Sequence, residues 1–170
     1  PGVLDARRCL AWLLQASGVF PAEYRVALGD RIYGCDDCQE VCPVNIKATQ
    51  HQPAPLADRQ DQSTADVLEM LDATDEELLK TYGRWYIPER QPRYLRRNAL
   101  IVLGNTADGV DPRVVRTLSR ALQAEDPIIR AHAVWAAARL GRSDLLGGVT
   151  DDPDPIVQTE LRAVPTVTPR

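Results

Sequence analysis

The chain has 170 residues, 44% of them hydrophobic and 26% charged, with a net charge of −4. That length suits one domain, or one small domain with an appendage. The negative balance gives no global case for nucleic acid, so any basic surface has to be local, and no run approaches the roughly 18 apolar residues of a membrane span. Few aromatics beside much alanine and leucine favour packed helices, so the expected fold class is mostly α.

Residues 4–17 are expected to form a helix, with Leu4, Leu10, Leu13 and Leu14 at helical spacing. Asp5 favours the amino-terminal end and Gly18 is the expected stop. Cys9 lies within it at the margin of the apolar face. Alone it reads as a small core residue; three more cysteines nearby make it a ligand candidate. Pro21 reads as the first position of a short helix through Ala27, ended by Gly29.

Residues 34–43 read Gly34-Cys35-Asp36-Asp37-Cys38-Gln39-Glu40-Val41-Cys42-Pro43, the pattern C-x2-C-x3-C-P. Soft thiolates at this density select iron–sulfur clusters or zinc. The closing proline tilts the choice toward iron–sulfur, because C-x3-C-P ends the bacterial ferredoxin run. With no signal peptide ahead of the first helix, the cysteines are expected to be reduced metal ligands rather than disulfides. Asp36 and Asp37 fill the first interval, as solvated acids or as contacts to something beside the cluster. Val44-Asn45-Ile46 reads as a short turn after the proline.

Residues 47–63 read as a linker, with Pro53, Pro55 and four glutamines, and with His51 as a solvated loop histidine. Thr64 to Tyr82 is helical in two pieces. Val67, Leu68, Met70 and Leu71 make one apolar face, with Met70 as core filler. Thr74-Asp75-Glu76-Glu77 is a capping box that starts the second piece, where Leu78 and Leu79 pack. Trp85, Tyr86 and Ile87 then break at Pro88.

From Arg84 to Arg97 the charge changes: Arg84, Arg90, Arg93, Arg96 and Arg97 interleave with Trp85, Tyr86 and Tyr94. Arginine binds phosphate bidentately and stacks on bases, so this is the best local candidate for a nucleic-acid surface. A solvated helix face with ion pairs is the other reading. Residues 94–163 contain a repeat. Leu95-Arg96-x-x-Ala99-Leu100-x-Val102-Leu103 matches Ile129-Arg130-x-x-Ala133-Val134-x-Ala136-Ala137 at an offset of 34, and Asp126-Pro127 recurs as Asp154-Pro155. Helix pairs with Asp-Pro at the turn resemble HEAT repeats, each Asp-Pro capping and starting a helix. His132 and Trp135 lie inside such a helix as packing residues. The chain thus divides into a segment 1–46, the second half of a ferredoxin-like 4Fe-4S domain; a linker 47–63; a helical HEAT-like domain 64–163; and a frayed tail 164–170.

A 4Fe-4S cluster takes four cysteines, and in two-cluster ferredoxins the cysteine before the proline serves the other cluster. Under that rule Cys9, Cys35 and Cys38 are one ligand short, and Cys42 lacks three partners. Either the four bind one centre together or further ligands lie upstream. The start at Pro1, without methionine, is expected of a piece of a longer protein.

The segment Asp5-Ala6-Arg7-Arg8-Cys9, the run from Gly29-Asp30-Arg31-Ile32-Tyr33 through Cys42-Pro43, and Arg97-Asn98-Ala99-Leu100 with Leu103-Gly104-Asn105 resemble the carboxy-terminal half of the epoxyqueuosine reductase family. The chain departs from that family at Val44, where members usually carry tryptophan, and at Ala11-Trp12-Leu13-Leu14-Gln15, which lacks the acid the family tends to place there. The resemblance implies a cytoplasmic, cobalamin-dependent oxidoreductase with two 4Fe-4S clusters that reduces epoxyqueuosine to queuosine in tRNA. It implies that Cys9, Cys35 and Cys38 bind the second cluster with one cysteine from upstream, and that Cys42 completes the first. It further implies an electron donor and a tRNA as partners, a monomeric protein, and tRNA contacts from the HEAT-like part, for which Arg93, Arg96 and Arg97 are the candidates; Asp36 and Asp37 are candidate cofactor contacts. The cobalamin domain and its proton donor are not in this chain, which is therefore expected to be inactive alone. Two rivals come from other classes. One is a HEAT-type interaction module braced by an all-cysteine zinc site. The other is a ferredoxin-like electron-transfer subunit of another oxidoreductase.

Overall fold

The structure, a computed structural model, describes residues 5–49 and 66–164. Among them the elements are all helical: α1 (Leu10–Gln15), α2 (Ala22–Leu28), α3 (Asp37–Glu40), α4 (Pro43–Thr49), α5 (Val67–Asp72), α6 (Asp75–Tyr82), α7 (Arg93–Thr106), α8 (Pro112–Ala121), α9 (Pro127–Arg139) and α10 (Pro155–Ala163), with short 3-10 turns between some of them. Among the described residues no helix is long and apolar enough to cross a membrane.

The starts of these helices follow from local chemistry. Asp111, Asp126 and Asp154 are the N-caps of α8, α9 and α10, each side chain accepting a backbone N–H two residues on, with proline at the next position. The carboxylate satisfies an amide that has no partner inside the helix, and the proline has no amide to satisfy. Thr74 and Glu77 close the expected capping box on α6.

The core is built around α7 and α9. α7 packs on α5 and α9, and α9 on α8 and α10. Leu100, Leu118, Val134 and Val157 are wholly buried there, and so are Ala131, Ala133, Ala136 and Ala137 of α9. Alanine at those positions lets neighbouring helices come close. Gly104 does the same from α7: a Cβ added there would lie 2.6 Å from the Trp135 ring, too near for real atoms, and in a tight 3.0 Å contact with the Ala136 backbone. A smaller core joins Leu13, Leu14, Phe20 and Leu28 to Ile101 of α7. One helix therefore serves both cores, and the cysteine-bearing segment rests directly on the repeats.

Two expectations need correcting. The helix over 4–17 is not continuous: a 3-10 turn at Ala6–Arg8 is followed by α1, and Cys9 between them has extended backbone. The Asp5 carboxylate accepts the Arg7 N–H and closes the tight turn, so the chain enters α1 with Cys9 as its N-cap. After Cys42, Val44-Asn45-Ile46 is not a bare turn but part of α4, which runs to Thr49, past the boundary expected at 46. Proline at the first helical position presets the required φ. The remainder of the expected linker with His51, and the tail beyond Val164, lie outside the described residues.

Candidate metal centre

The four cysteines are free thiols; Cys38 is exposed and the other three are half-buried. Cys9 precedes α1. Cys35 follows Gly34, whose φ of 92° is open only to a residue without a Cβ. Cys38 sits in the one-turn helix α3, and Cys42 immediately precedes α4. The sulfurs of Cys38 and Cys42 have donors aimed at them. The backbone N–H groups of Asn45 and Val44, at the start of α4, hold the Cys42 thiol below its ordinary value. The Gln39 amide nitrogen lies 3.8 Å from the Cys38 sulfur, and Asn45 fixes that side chain through a 2.8 Å bond to its oxygen. Free thiols with N–H donors directed at sulfur suit a thiolate-ligated metal centre, because such bonds stabilise the charge on ligand thiolates. Among the described residues no three His, Cys, Asp or Glu side chains, the four cysteines included, form a group that could hold a metal ion.

The acids between Cys35 and Cys38 have separate fates. Asp37 pairs with Arg31 at 2.6 Å, and Arg31 also donates to the Leu28 carbonyl at the end of α2. That ties the cysteine loop back to α2. Asp36 is exposed and caps nothing with its side chain.

What sets the segment in place is a set of polar side chains on α7. Arg97 is wholly buried. Its guanidinium donates to the carbonyls of Ala16 and Gly18 at 2.7 Å and of Leu14 at 2.9 Å. These are carbonyls at the carboxy-terminal end of α1, which have no amide partner within the helix and attract a cation. Asn98 accepts from Arg97 and donates to the Leu14 and Ile32 carbonyls. Asn105 donates to the Arg25 and Gly29 carbonyls, which performs the same service for α2. Burial draws the Arg97 pKa down to about 10, so it remains charged at neutral pH. The Tyr94 ring, 5.2 Å away, supports that charge.

Two further contacts complete the anchorage. His132 of α9 is buried; its Nδ1–H donates to the Ile128 carbonyl at 2.7 Å, and Nε2 accepts the Phe20 N–H at 3.2 Å. Burial lowers its pKa to about 3, with the Arg25 charge as the next cause, so the ring is neutral. Arg25 of α2 reaches Glu160 of α10 through two bonds of 2.8 and 2.5 Å.

Residues 1–45 match the family model of the 4Fe-4S double cluster binding domain, and residues 87–164 match that of HEAT repeats. An epoxyqueuosine reductase of Vibrio cholerae is 39% identical over 136 residues, which are 79% of this chain and 36% of that protein. The chain resembles part of the epoxyqueuosine reductases. The Staphylococcus aureus epoxyqueuosine reductase is 32% identical over 165 residues, 94% of this chain and 42% of that one. The epoxyqueuosine reductase structure from Streptococcus thermophilus superposes with a TM-score of 0.77 at 29% identity, covering 96% of this chain and 44% of that chain. A further epoxyqueuosine reductase, crystallised with an epoxyqueuosine-modified tRNA-Tyr stem loop, superposes with a TM-score of 0.76 at 27% identity, covering 95% and 44%. The chain thus spans less than half the length of these epoxyqueuosine reductases.

The structure separates the arginines that composition grouped. Arg97 is not a surface residue, because its charge is spent on carbonyls of α1; the expected tRNA contact from Arg97 is withdrawn. Arg96 turns inward to the Ala73 carbonyl at 2.7 Å and pairs with Asp75. Arg93 stays accessible, with its side chain 37% exposed beside Asp126 at 3.4 Å. Arg90 donates to the Gly83 carbonyl. Arg25, Asn98, Asn105 and Glu160 were not singled out as contributors to the site. For Asn98 and Asn105 the signal was present, since both belong to the stretches that carry the family resemblance.

Proposed function

We propose that the chain is the cluster-bearing and repeat-bearing part of an oxidoreductase that reduces epoxyqueuosine to queuosine in tRNA. Cys9, Cys35 and Cys38 supply three ligands of one 4Fe-4S cluster, and Cys42 supplies one ligand of another. The remaining ligands and the cobalamin come from the part of the protein that the longer relatives carry. When bound, the clusters would supply one-electron transfer, and cobalamin held by the rest of the protein would supply the reductive chemistry that the epoxide needs. The residues of this chain hold the sulfurs, donate N–H groups to them, and keep the loop against the repeats. The HEAT-like part holds the tRNA through phosphate contacts, with Arg93 among them. On this reading the protein works as a monomer in the cytoplasm, and the chain alone does not turn over substrate.

The observation that carries the proposal is the C-x2-C-x3-C-P loop with donors on the Cys38 and Cys42 sulfurs, in a segment whose α1 end and Ile32 are held by Arg97 and Asn98 to a repeat domain that matches the same relatives. The test is anaerobic incubation of the full-length parent with epoxyqueuosine-containing tRNA, cobalamin and a strong reductant, followed by nucleoside analysis. Queuosine is the expected product. A protein that holds zinc, no sulfide and leaves the epoxide untouched contradicts the proposal.

A further inference from the structure

Between α6 and α7 the chain crosses the seam between the cysteine loop and the repeats as a short, tightly held strap, residues 83–92. Its side chains alternate in direction. Ile87 and Pro88 are buried and Trp85 is half-buried, whereas Arg84 and Tyr86 are exposed. The inward side is locked. The Trp85 ring lies on Tyr33 at 4.6 Å between centroids and 5° between planes, with Tyr82 on it at 4.8 Å. The Tyr33 hydroxyl accepts the Tyr86 N–H at 2.9 Å, and Arg90 closes the strap by donating to the Gly83 carbonyl at 2.6 Å.

The outward side is unusual in two respects. Tyr86 is 64% exposed, a large ring presented to solvent whose own N–H is held by the Tyr33 hydroxyl. Among the described residues its ring stacks on nothing. The turn that follows holds two consecutive non-glycine residues, Glu89 and Arg90, in the left-handed region at φ 52° and 57°. Such conformations cost of order 1–3 kcal/mol each and persist where surrounding structure enforces them, often beside ligands. Arg84 is exposed and makes no ion pair among the described residues, while the nearby Glu89 carboxylate is turned to Gln91 at 2.8 Å. The strap therefore offers an exposed aromatic ring on an anchored main chain, with an uncommitted guanidinium two residues away. Its position follows from Tyr33, which lies two residues before Cys35 and sets the height of Tyr86 at the edge of the cysteine loop.

We propose that Tyr86 is a stacking platform for an unpaired nucleobase of an RNA loop, with Arg84 contacting the adjoining phosphate. This rests on the tRNA reading above and assigns to it a contact point at the seam. An exposed ring on an anchored main chain, with a cation two residues away, is an arrangement that binds single-stranded nucleic acid, because every base has a face to stack. A rigid anchor there fixes the loop relative to the cysteine segment while a neighbouring base is turned out for chemistry.

The test uses the full-length parent and two RNA probes, a stem with a seven-base unpaired loop and the same stem closed as a blunt duplex. Tyr86→Leu is expected to weaken loop binding roughly 5- to 150-fold with little change for the duplex, and Tyr86→Phe to bind as wild type. Arg84→Ala is expected to weaken both and to lower the salt slope by about 1. The Tyr86 main chain, not its ring, bonds Tyr33, so iron content and thermal unfolding are expected to stay unchanged. A fluorescent 2-aminopurine placed in the loop provides a measurement that needs no variant: wild type is expected to quench it by stacking. Unchanged loop affinity in Tyr86→Leu, or no quenching in wild type, overturns the platform while RNA binding stands. A wild type that binds neither probe overturns the platform and the tRNA reading together.

Discussion

Arg25 of α2 and Glu160 of α10, 135 residues apart, form a two-pronged ion pair in which the arginine side chain is 1% exposed and the glutamate side chain 10%. The pair joins the cysteine-bearing segment to the last described repeat helix. Two charges this far from water owe their place to each other. Removing one leaves the other buried and uncompensated, which costs about 3–5 kcal/mol. Glu160→Ala is therefore expected to lower the unfolding free energy by about that amount in a urea titration. Replacing both, as Arg25→Met with Glu160→Leu, is expected to recover most of the loss. Equal losses in the single and double variants would show that the pair does not act as a unit.

His132 gives the protein an acid limit. Its pKa is about 3 in the folded state against an ordinary value of 6.5, so the unfolded chain binds the proton first as pH falls. The stability owed to a neutral His132 is fully present above about pH 6.5 and drains away as pH drops toward 3, with a slope of about 1.4 kcal/mol per pH unit. Urea midpoints measured from pH 7 to pH 4 are expected to fall for wild type and to fall less steeply for His132→Gln. Parallel curves would mean that acid carboxylates, not this histidine, set the limit.

Arg93 and Arg97, one helical turn apart on α7, are expected to respond oppositely. Arg97→Ala strips the carbonyls of Ala16, Gly18 and Leu14 of their donor and is expected to cost about 3–5 kcal/mol. Arg97→Lys does not restore it, since an ammonium cannot span several acceptors with a planar fork. Arg93→Ala is expected to leave stability within about 1 kcal/mol while weakening tRNA binding by the full-length parent and lowering its salt slope by about 1. The checks are denaturant unfolding and binding titrations at several salt concentrations.

The contrast between these two arginines shows where sequence reasoning stopped. Features whose physics is local were legible: the cysteine spacing, the Thr74–Glu77 capping box, and the Asp-Pro helix starts at 126 and 154, which depend on residues at most three apart. The helical class and the repeat followed from periodicity. Burial of Arg97 did not, because its acceptors lie 79 to 83 residues away and a local count of arginines weights each alike. The Arg25–Glu160 pair was invisible for the same reason. The break at Cys9 escaped because leucine spacing reports the face of α1 but not the side-chain bond from Asp5 that closes the preceding turn. Asn98, Gly104 and Asn105 belonged to the stretches that resemble the family, and their purpose became clear only with α1, α2 and Trp135 packed against them.

The ligand division is tested most directly by iron and acid-labile sulfide analysis of the anaerobically purified full-length parent beside its Cys35→Ser and Cys42→Ser variants, with Mössbauer spectra of each. Two clusters contain about eight irons and eight sulfides per chain. Each variant is expected to lose or alter a different one of the two, so that the two spectra of the remaining clusters differ. One zinc with no sulfide, or both variants damaging the same single cluster, would contradict the shared two-cluster account.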